Sequence, residues 1–126
     1  MERLDRVYSQ YIRLKDADMS GYVRCYCCGV SIFWKEAQNG HYMNRRYTNT
    51  RFFDENCKPC CYDCNINLNG NLKEYEKHLV KDYGEEITYT LRIMASTYMK
   101  YSKNELEGLI RHYRKEVKRL KKEKGL

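Results

Sequence analysis

Two cysteine pairs, Cys25-x-x-Cys28 and Cys61-x-x-Cys64, bracket a segment that carries His41 and Asn56, and Asn65 follows the last cysteine directly. Four thiolates converging on one point at about 2.3 Å make a tetrahedral zinc site, and each C-x-x-C turn presents two of them. The segment between the pairs is longer than a plain zinc ribbon holds, so it becomes a large loop clamped at both ends. His41 is its only histidine. A neutral imidazole can take a proton from water in phosphodiester hydrolysis. A divalent cation beside it neutralises the phosphate and the leaving 3′ oxygen. Hard oxygen donors suit Mg²⁺ or Mn²⁺, and Asn65 offers one through its amide. Asn56 is placed to orient the imidazole from its far side and so fix its tautomer.

Three cysteines are spare: Cys27, Cys57 and Cys60. Cys27 lies inside the first turn and is expected to point away from the metal. Cys57-x-x-Cys60 is a competing pair, but Cys61 and Cys64 stand next to Asn65 and are preferred as ligands. An odd count crowded into two clusters argues against a disulfide framework and for metal binding in a reducing compartment. The N-terminus is charged throughout and is no signal peptide. No apolar run of about 18 residues exists to span a membrane. A cytoplasmic protein follows. The net charge of +7 and a pI near 9.0 suit a polyanionic partner. Arg45, Arg46 and Arg51, with no acid between them, are candidates for holding a nucleic-acid backbone.

The elements that must position these groups are legible from periodicity. Leu4, Val7, Tyr8, Tyr11 and Leu14 predict an N-terminal helix within residues 1–18, broken by Ser20-Gly21. Residues 22–84 form the zinc-bound core. Tyr22 to Trp34 is β-rich, with Gly29 in a tight turn, and residues 38–53 contain a second extended stretch. Residues 56–60 read as a loop held by Pro59, the only proline. The second cysteine pair opens a helix or turn, punctuated by Asn69-Gly70-Asn71. Leu72 to Tyr83 is helical and Gly84 ends it. Residues 85–126 are a helical, basic extension: one helix over 85–100, then one from the Ser102-x-x-Glu105 capping box to about residue 124. In that last helix Leu106, Ile110, Tyr113, Val117 and Leu120 form a short heptad seam. The seam either packs on its own domain or makes a homodimer contact. Residues 103–126 carry nine Lys/Arg against four Glu. Arg111, Arg114, Lys115, Lys118, Arg119 and Lys122 there suggest a grip on a DNA backbone. The fold class is α+β, and the 13 tyrosines serve mostly as core and boundary packing.

Several ordered motifs together carry a resemblance. YIRLKDAD (11–18), GYVRCYCCG (21–29), GHY (40–42), TRFFDEN (50–56), the C-x-x-C-N at 61–65 and GNLKEYEKHLVKDYG (70–84) resemble the phage recombination protein NinG (Rap) family, a branch of the HNH, or ββα-metal, nucleases. The resemblance runs from about Tyr8 to Glu86. It implies a treble-clef-like core with one structural zinc, and an endonuclease cutting branched DNA, such as four-way junctions, with Mg²⁺ or Mn²⁺ in a bacterial host cell. It implies His41 as base, Asn56 as orienter and Asn65 as metal ligand. Three positions depart from the family pattern. Lys58 stands where a histidine is usual, Cys60 where a glutamine is usual, and Gly40 where many HNH sites have an aspartate. A protonated lysine cannot bind metal but can contact phosphate. The remaining candidate ligands are Asn65 with Asp54 or Glu55. The rival expectation is a non-catalytic, zinc-stabilised DNA-binding protein that uses its basic C-terminal helix.

Overall fold

A computed structural model describes residues 1–126. It begins with α1 (Glu2–Lys15), whose first turn carries Glu2 and Asp5 and whose last carries Arg13 and Lys15, the order the helix dipole favours. α1 buries Leu4, Val7, Tyr8, Ile12 and Leu14, and α4 (Lys103–Lys124) lies against that face. The capping box of Ser102 and Glu105 closes the start of α4 as expected. The heptad seam packs on its own chain: Ile110, Val117 and Leu120 are buried, and the Tyr113 ring centre lies 4.9 Å from Tyr8 and 5.0 Å from Tyr11. The apolar surface that a dimer through this helix would use is therefore covered by α1. Lys124 ties the two helices further. Its Nζ donates to the carbonyls of Leu14, Lys15 and Ala17 at 2.6, 2.9 and 2.6 Å, so the end of α4 caps the C-terminus of α1.

β1 (Tyr22–Arg24) and β2 (Ser31–Phe33) pair antiparallel around the first cysteine turn. Gly29 has φ +79° there, a conformation that glycine reaches without a Cβ clash. β3 (Gln38–His41) pairs antiparallel with β4 (Cys57–Cys60), placing His41 opposite Cys57 and Gly40 opposite Lys58. Two expectations change here. The extended stretch ends at His41, and residues 44–53 coil in turns. Residues 57–60 are a strand rather than a loop. Pro59 fits because a strand at a sheet edge has donors it need not use, while its carbonyl accepts from the Tyr26 N–H at 2.8 Å. That bond ties the first cysteine turn to β4.

After β4 comes a π-helical turn, Asp63–Asn67. Asn69, Gly70 and Asn71 all have positive φ and separate it from α2 (Leu72–Tyr83). α3 (Ile87–Ala95) is shorter than the spacing predicts. The result is a mixed arrangement of helices and two small sheets with two apolar clusters. One joins α1 and α4 around Tyr8, Trp34 and Ile110. The other surrounds the cysteines with Tyr75, Leu79 and Leu91. No helix is long and apolar enough to cross a membrane.

Candidate metal centre and the His41 cleft

Cys25, Cys28, Cys61 and Cys64 converge, with all four sulfurs within 4.8 Å of one another. Cys28 Sγ and Cys61 Sγ are 3.8 Å apart. Metal–sulfur bonds of about 2.3 Å at tetrahedral angles put ligand sulfurs about 3.8 Å apart, so the set fits one zinc. Backbone and side-chain donors complete it: Cys64 N–H points at Cys61 Sγ at 3.4 Å, and Asn71 Nδ2 at Cys64 Sγ at 3.5 Å. Such bonds favour the thiolate form. The competing pair is excluded by the strand itself. Residues an odd number apart on a strand face opposite ways. Cys57 therefore enters the α1 cluster, where burial pushes its thiol up to about 12, while Cys60 faces the other cysteines. Cys27 does not point away, as the sequence suggests. Its sulfur lies 4.0 Å from Cys60 Sγ.

His41 ends β3 at an open cleft of about 570 Å³. Asn39 and His41 share one strand face and form its floor. Asp5, Ser9 and Arg13 of α1 form one wall, and Asn65, Ile66, Asn69 and Gly70 the other, with Asn44 and Arg45 above. His41 Nε2 lies 3.0 Å from the Arg51 carbonyl oxygen. A carbonyl can only accept, so Nε2 carries the hydrogen and Nδ1 holds the free lone pair of the neutral ring. Burial lowers the imidazole pKa below its ordinary value, against the opposing pull of that carbonyl. Asn65 Nδ2 donates to Gln38 Oε1 at 2.7 Å, which leaves Asn65 Oδ1 without a donor. Asn39 Oδ1 is buried and has no hydrogen-bond partner at all.

The structure brings His41 and Asn65 together and places several other predicted site residues elsewhere. Asn56 does not touch the imidazole. Its Oδ1 accepts from the Met43 N–H at 2.8 Å, and its Nδ2 donates to the Met43 and Thr50 carbonyls at 2.9 and 3.1 Å. It braces the loop that delivers the Arg51 carbonyl to His41, one step removed from the ring. Asp54 is turned toward α1, accepting from Tyr8, Tyr11 and Lys15 at 2.7, 3.1 and 3.2 Å. Neither Asp54 nor Glu55 lines the cleft. Lys58 is buried. Its Nζ donates to the Tyr83 hydroxyl and sits 4.7 Å from the Tyr83 ring and 5.5 Å from that of Tyr26, away from the cleft. Arg51 is clamped on Asp5 by its Nε at 2.9 Å and by Nη2. Arg46 stacks over Tyr47 at 4.8 Å. Of the three arginines expected to hold a backbone, Arg45 alone lines the cleft.

Periodicity alone does not show that α1 supplies a wall of the cleft. Asp5 is the only carboxylate at the cleft, and a polar groove continues past it along Arg6, Ser9, Gln10 and Arg13 to Arg45. Those positions recur at helical spacing, so a polar stripe is legible in the sequence. What it faces is not. Arg13 is fixed there, its Nε donating to the Ser9 carbonyl and hydroxyl at 3.1 Å and its Nη1 to the Trp34 carbonyl at 3.0 Å. α4 packs on the opposite face of α1, through Tyr8 and Tyr11. Its exposed Arg111, Arg114, Lys115, Lys118, Arg119 and Lys122 therefore stand across a helix diameter, roughly 10 Å, from the cleft wall. Arg119 is also engaged with Glu116 and Glu123 at 2.6 and 2.8 Å.

Gly40 has a physical reason. A Cβ at this position would meet Cys60 Sγ at 2.5 Å. No acidic side chain can stand before His41 while Cys60 occupies that space. Gly40→Ala is expected to destabilise the protein by about 1–3 kcal/mol through overpacking, and Gly40→Asp by more. A thermal melt checks this, and an unchanged midpoint for Gly40→Asp would contradict it.

Over residues 1–123 the sequence matches the family model described as Bacteriophage Lambda NinG protein. No curated protein and no solved structure matches the chain.

Proposed function

Because the chain belongs to the bacteriophage lambda NinG protein family, we propose that it is a metal-dependent DNA endonuclease of the HNH, or ββα-metal, type that hydrolyses phosphodiester bonds in branched DNA such as four-way junctions. The observation that supports this most is His41. Its Nε2–H is held by the Arg51 carbonyl and its Nδ1 is free in a cleft shared with Asn65. In the neutral ring Nδ1 takes the proton from an attacking water. The Arg51 carbonyl stabilises the imidazolium that results, and Asn56 keeps that carbonyl in place. Arg45 at the cleft and Arg6 and Arg13 in the adjoining groove hold the phosphates.

The donor set also fits a hard cation. Asn39 Oδ1 and Asn65 Oδ1 are amide oxygens without donors at this cleft, and Mg²⁺ needs few protein ligands when substrate phosphate and water supply the rest. These two oxygens would hold it. When bound, Mg²⁺ or Mn²⁺ supplies charge neutralisation at the phosphate and the leaving 3′ oxygen.

The test is cleavage of a labelled four-way junction beside linear duplex and single strand, with Mg²⁺, Mn²⁺ or EDTA. Metal-dependent cutting that favours the junction is expected. Binding without cutting under every metal would favour the second reading, a zinc-stabilised protein that only holds DNA. One observation supports that reading: the sole carboxylate at the cleft, Asp5, is already paired with Arg51. The two grips are separable by salt dependence. Removing Arg6 and Arg45 charges is expected to lower the slope of log affinity against log salt by about 2. A slope that instead falls only for Arg114→Gln/Lys118→Gln would place the DNA on α4.

A further inference from the structure

Four cysteines suffice for one zinc, yet two of the spare thiols, one from the first cysteine turn and one from β4, meet beside them. Cys27 belongs to the first cysteine turn and Cys60 ends β4. Their sulfurs lie 4.0 Å apart. With Cys25 they form a second group in which all three sulfurs lie within 4.8 Å of one another. All three residues are buried, at 2%, 3% and 1% exposure for Cys25, Cys27 and Cys60.

We propose that Cys25, Cys27 and Cys60 hold a second divalent, thiophilic ion, a zinc under ordinary conditions, with the Cys25 thiolate bridging the two metals. Sulfurs bound to one ion at about 2.3 Å stand about 3.8 Å apart in a tetrahedral site and about 4.0 Å apart in a trigonal one. The Cys27–Cys60 separation already has that value, so this edge of the site needs no rearrangement. The Gly70 carbonyl oxygen, 3.6 Å from Cys27 Sγ, stands ready as a fourth donor. Thiolates select zinc or a similar soft ion over Mg²⁺ or Ca²⁺.

As neutral thiols, Cys27 and Cys60 each keep a proton. Binding releases both protons and forms metal–sulfur bonds to both thiolates and to Cys25. One divalent cation replaces two protons, so the cluster takes a second ion without changing its net charge. No electron moves. The same step removes two buried thiols whose only partners are other sulfurs and one carbonyl. Cys57 takes no part, because it lies on the other face of β4, within the α1 cluster.

Metal content of the full-length, reduced protein decides this. Emission spectrometry is expected to find two zinc ions per chain, falling to one in Cys27→Ser/Cys60→Ser while circular dichroism stays folded. After exchange with ¹¹³Cd²⁺, two cadmium resonances are expected, coupled to each other through Cys25. One zinc per wild-type chain that does not rise on titration with excess zinc would overturn the proposal. So would a second ion that is lost in Cys57→Ser but retained in the double variant.

Discussion

Replacing His41 by alanine is expected to slow single-turnover cleavage by about 10²–10⁴-fold, the usual contribution of a positioned general base. Zinc content and DNA affinity are expected to stay near wild type. The imidazole ring makes one hydrogen bond. Nε2 is committed to the Arg51 carbonyl at 3.0 Å, so the side chain anchors nothing through Nδ1, and its loss leaves a single carbonyl beside an open cleft that water can reach. Cys25, Cys28, Cys61 and Cys64 converge on one another, and none of them hydrogen-bonds the imidazole. Under the proposed function phosphate contact falls to arginines, because burial disfavours the charged form of the His41 ring. A variant that lost zinc and DNA binding along with cutting would make His41 a structural residue. A variant that cut as fast as wild type would remove it from the chemistry altogether.

Cys61→Ser carries the other large effect: loss of the cooperative fold. The four converging cysteines join the β1–β2 turn to the segment that leads from β4 into α2. The second apolar cluster is built around Cys25, Cys60 and Cys64 with Tyr75, Leu79 and Leu91. Binding of a structural zinc contributes on the order of 10 kcal/mol or more. That is comparable with the whole net stability of a domain, about 5–15 kcal/mol. Cys61 is also the ligand whose sulfur accepts the Cys64 N–H, so serine there disturbs two positions at once. The expected result is a broad, non-cooperative melt and loss of zinc, with a strong chelator producing the same state from wild type. A sharp melt with full zinc content in Cys61→Ser would mean that the metal lies elsewhere.

Local rules made much of this legible. The helix boundaries of α2 and α4 follow from Gly84 and from the Ser102–Glu105 box, because capping chemistry depends on neighbours in sequence. The two C-x-x-C turns whose sulfurs converge follow from spacing for the same reason. What failed was whatever depended on which way a strand or helix faces. Asn56 carries the right chemistry to orient an imidazole, but Met43 and Thr50 fold over it and engage its Oδ1 and both Nδ2 hydrogens. Asp54, in the 3-10 turn Asp54–Asn56 that precedes β4, is captured by Tyr8 and Tyr11. Lys58 lies directly across from Gly40 in the ladder, yet its side chain leaves on the tyrosine side. Asp5 and the groove along α1 were invisible because only packing decides that the polar stripe of this helix closes the cleft. The inward turn of Cys27 was equally hidden, since the first cysteine turn shows its facing only once it is tied to Pro59.

The pH dependence of single-turnover cleavage, measured on wild type and His41→Ala with one saturating metal, tests the central claim most directly. A base must be neutral to work, and burial lowers the His41 pKa. Wild-type rates are therefore expected to rise with pH along a limb whose midpoint lies below about 6.5, the ordinary histidine value, and then to level off. In His41→Ala that limb should vanish, leaving a slow rate with a different pH dependence. The same limb, with the same midpoint, in both proteins would contradict His41 as the base.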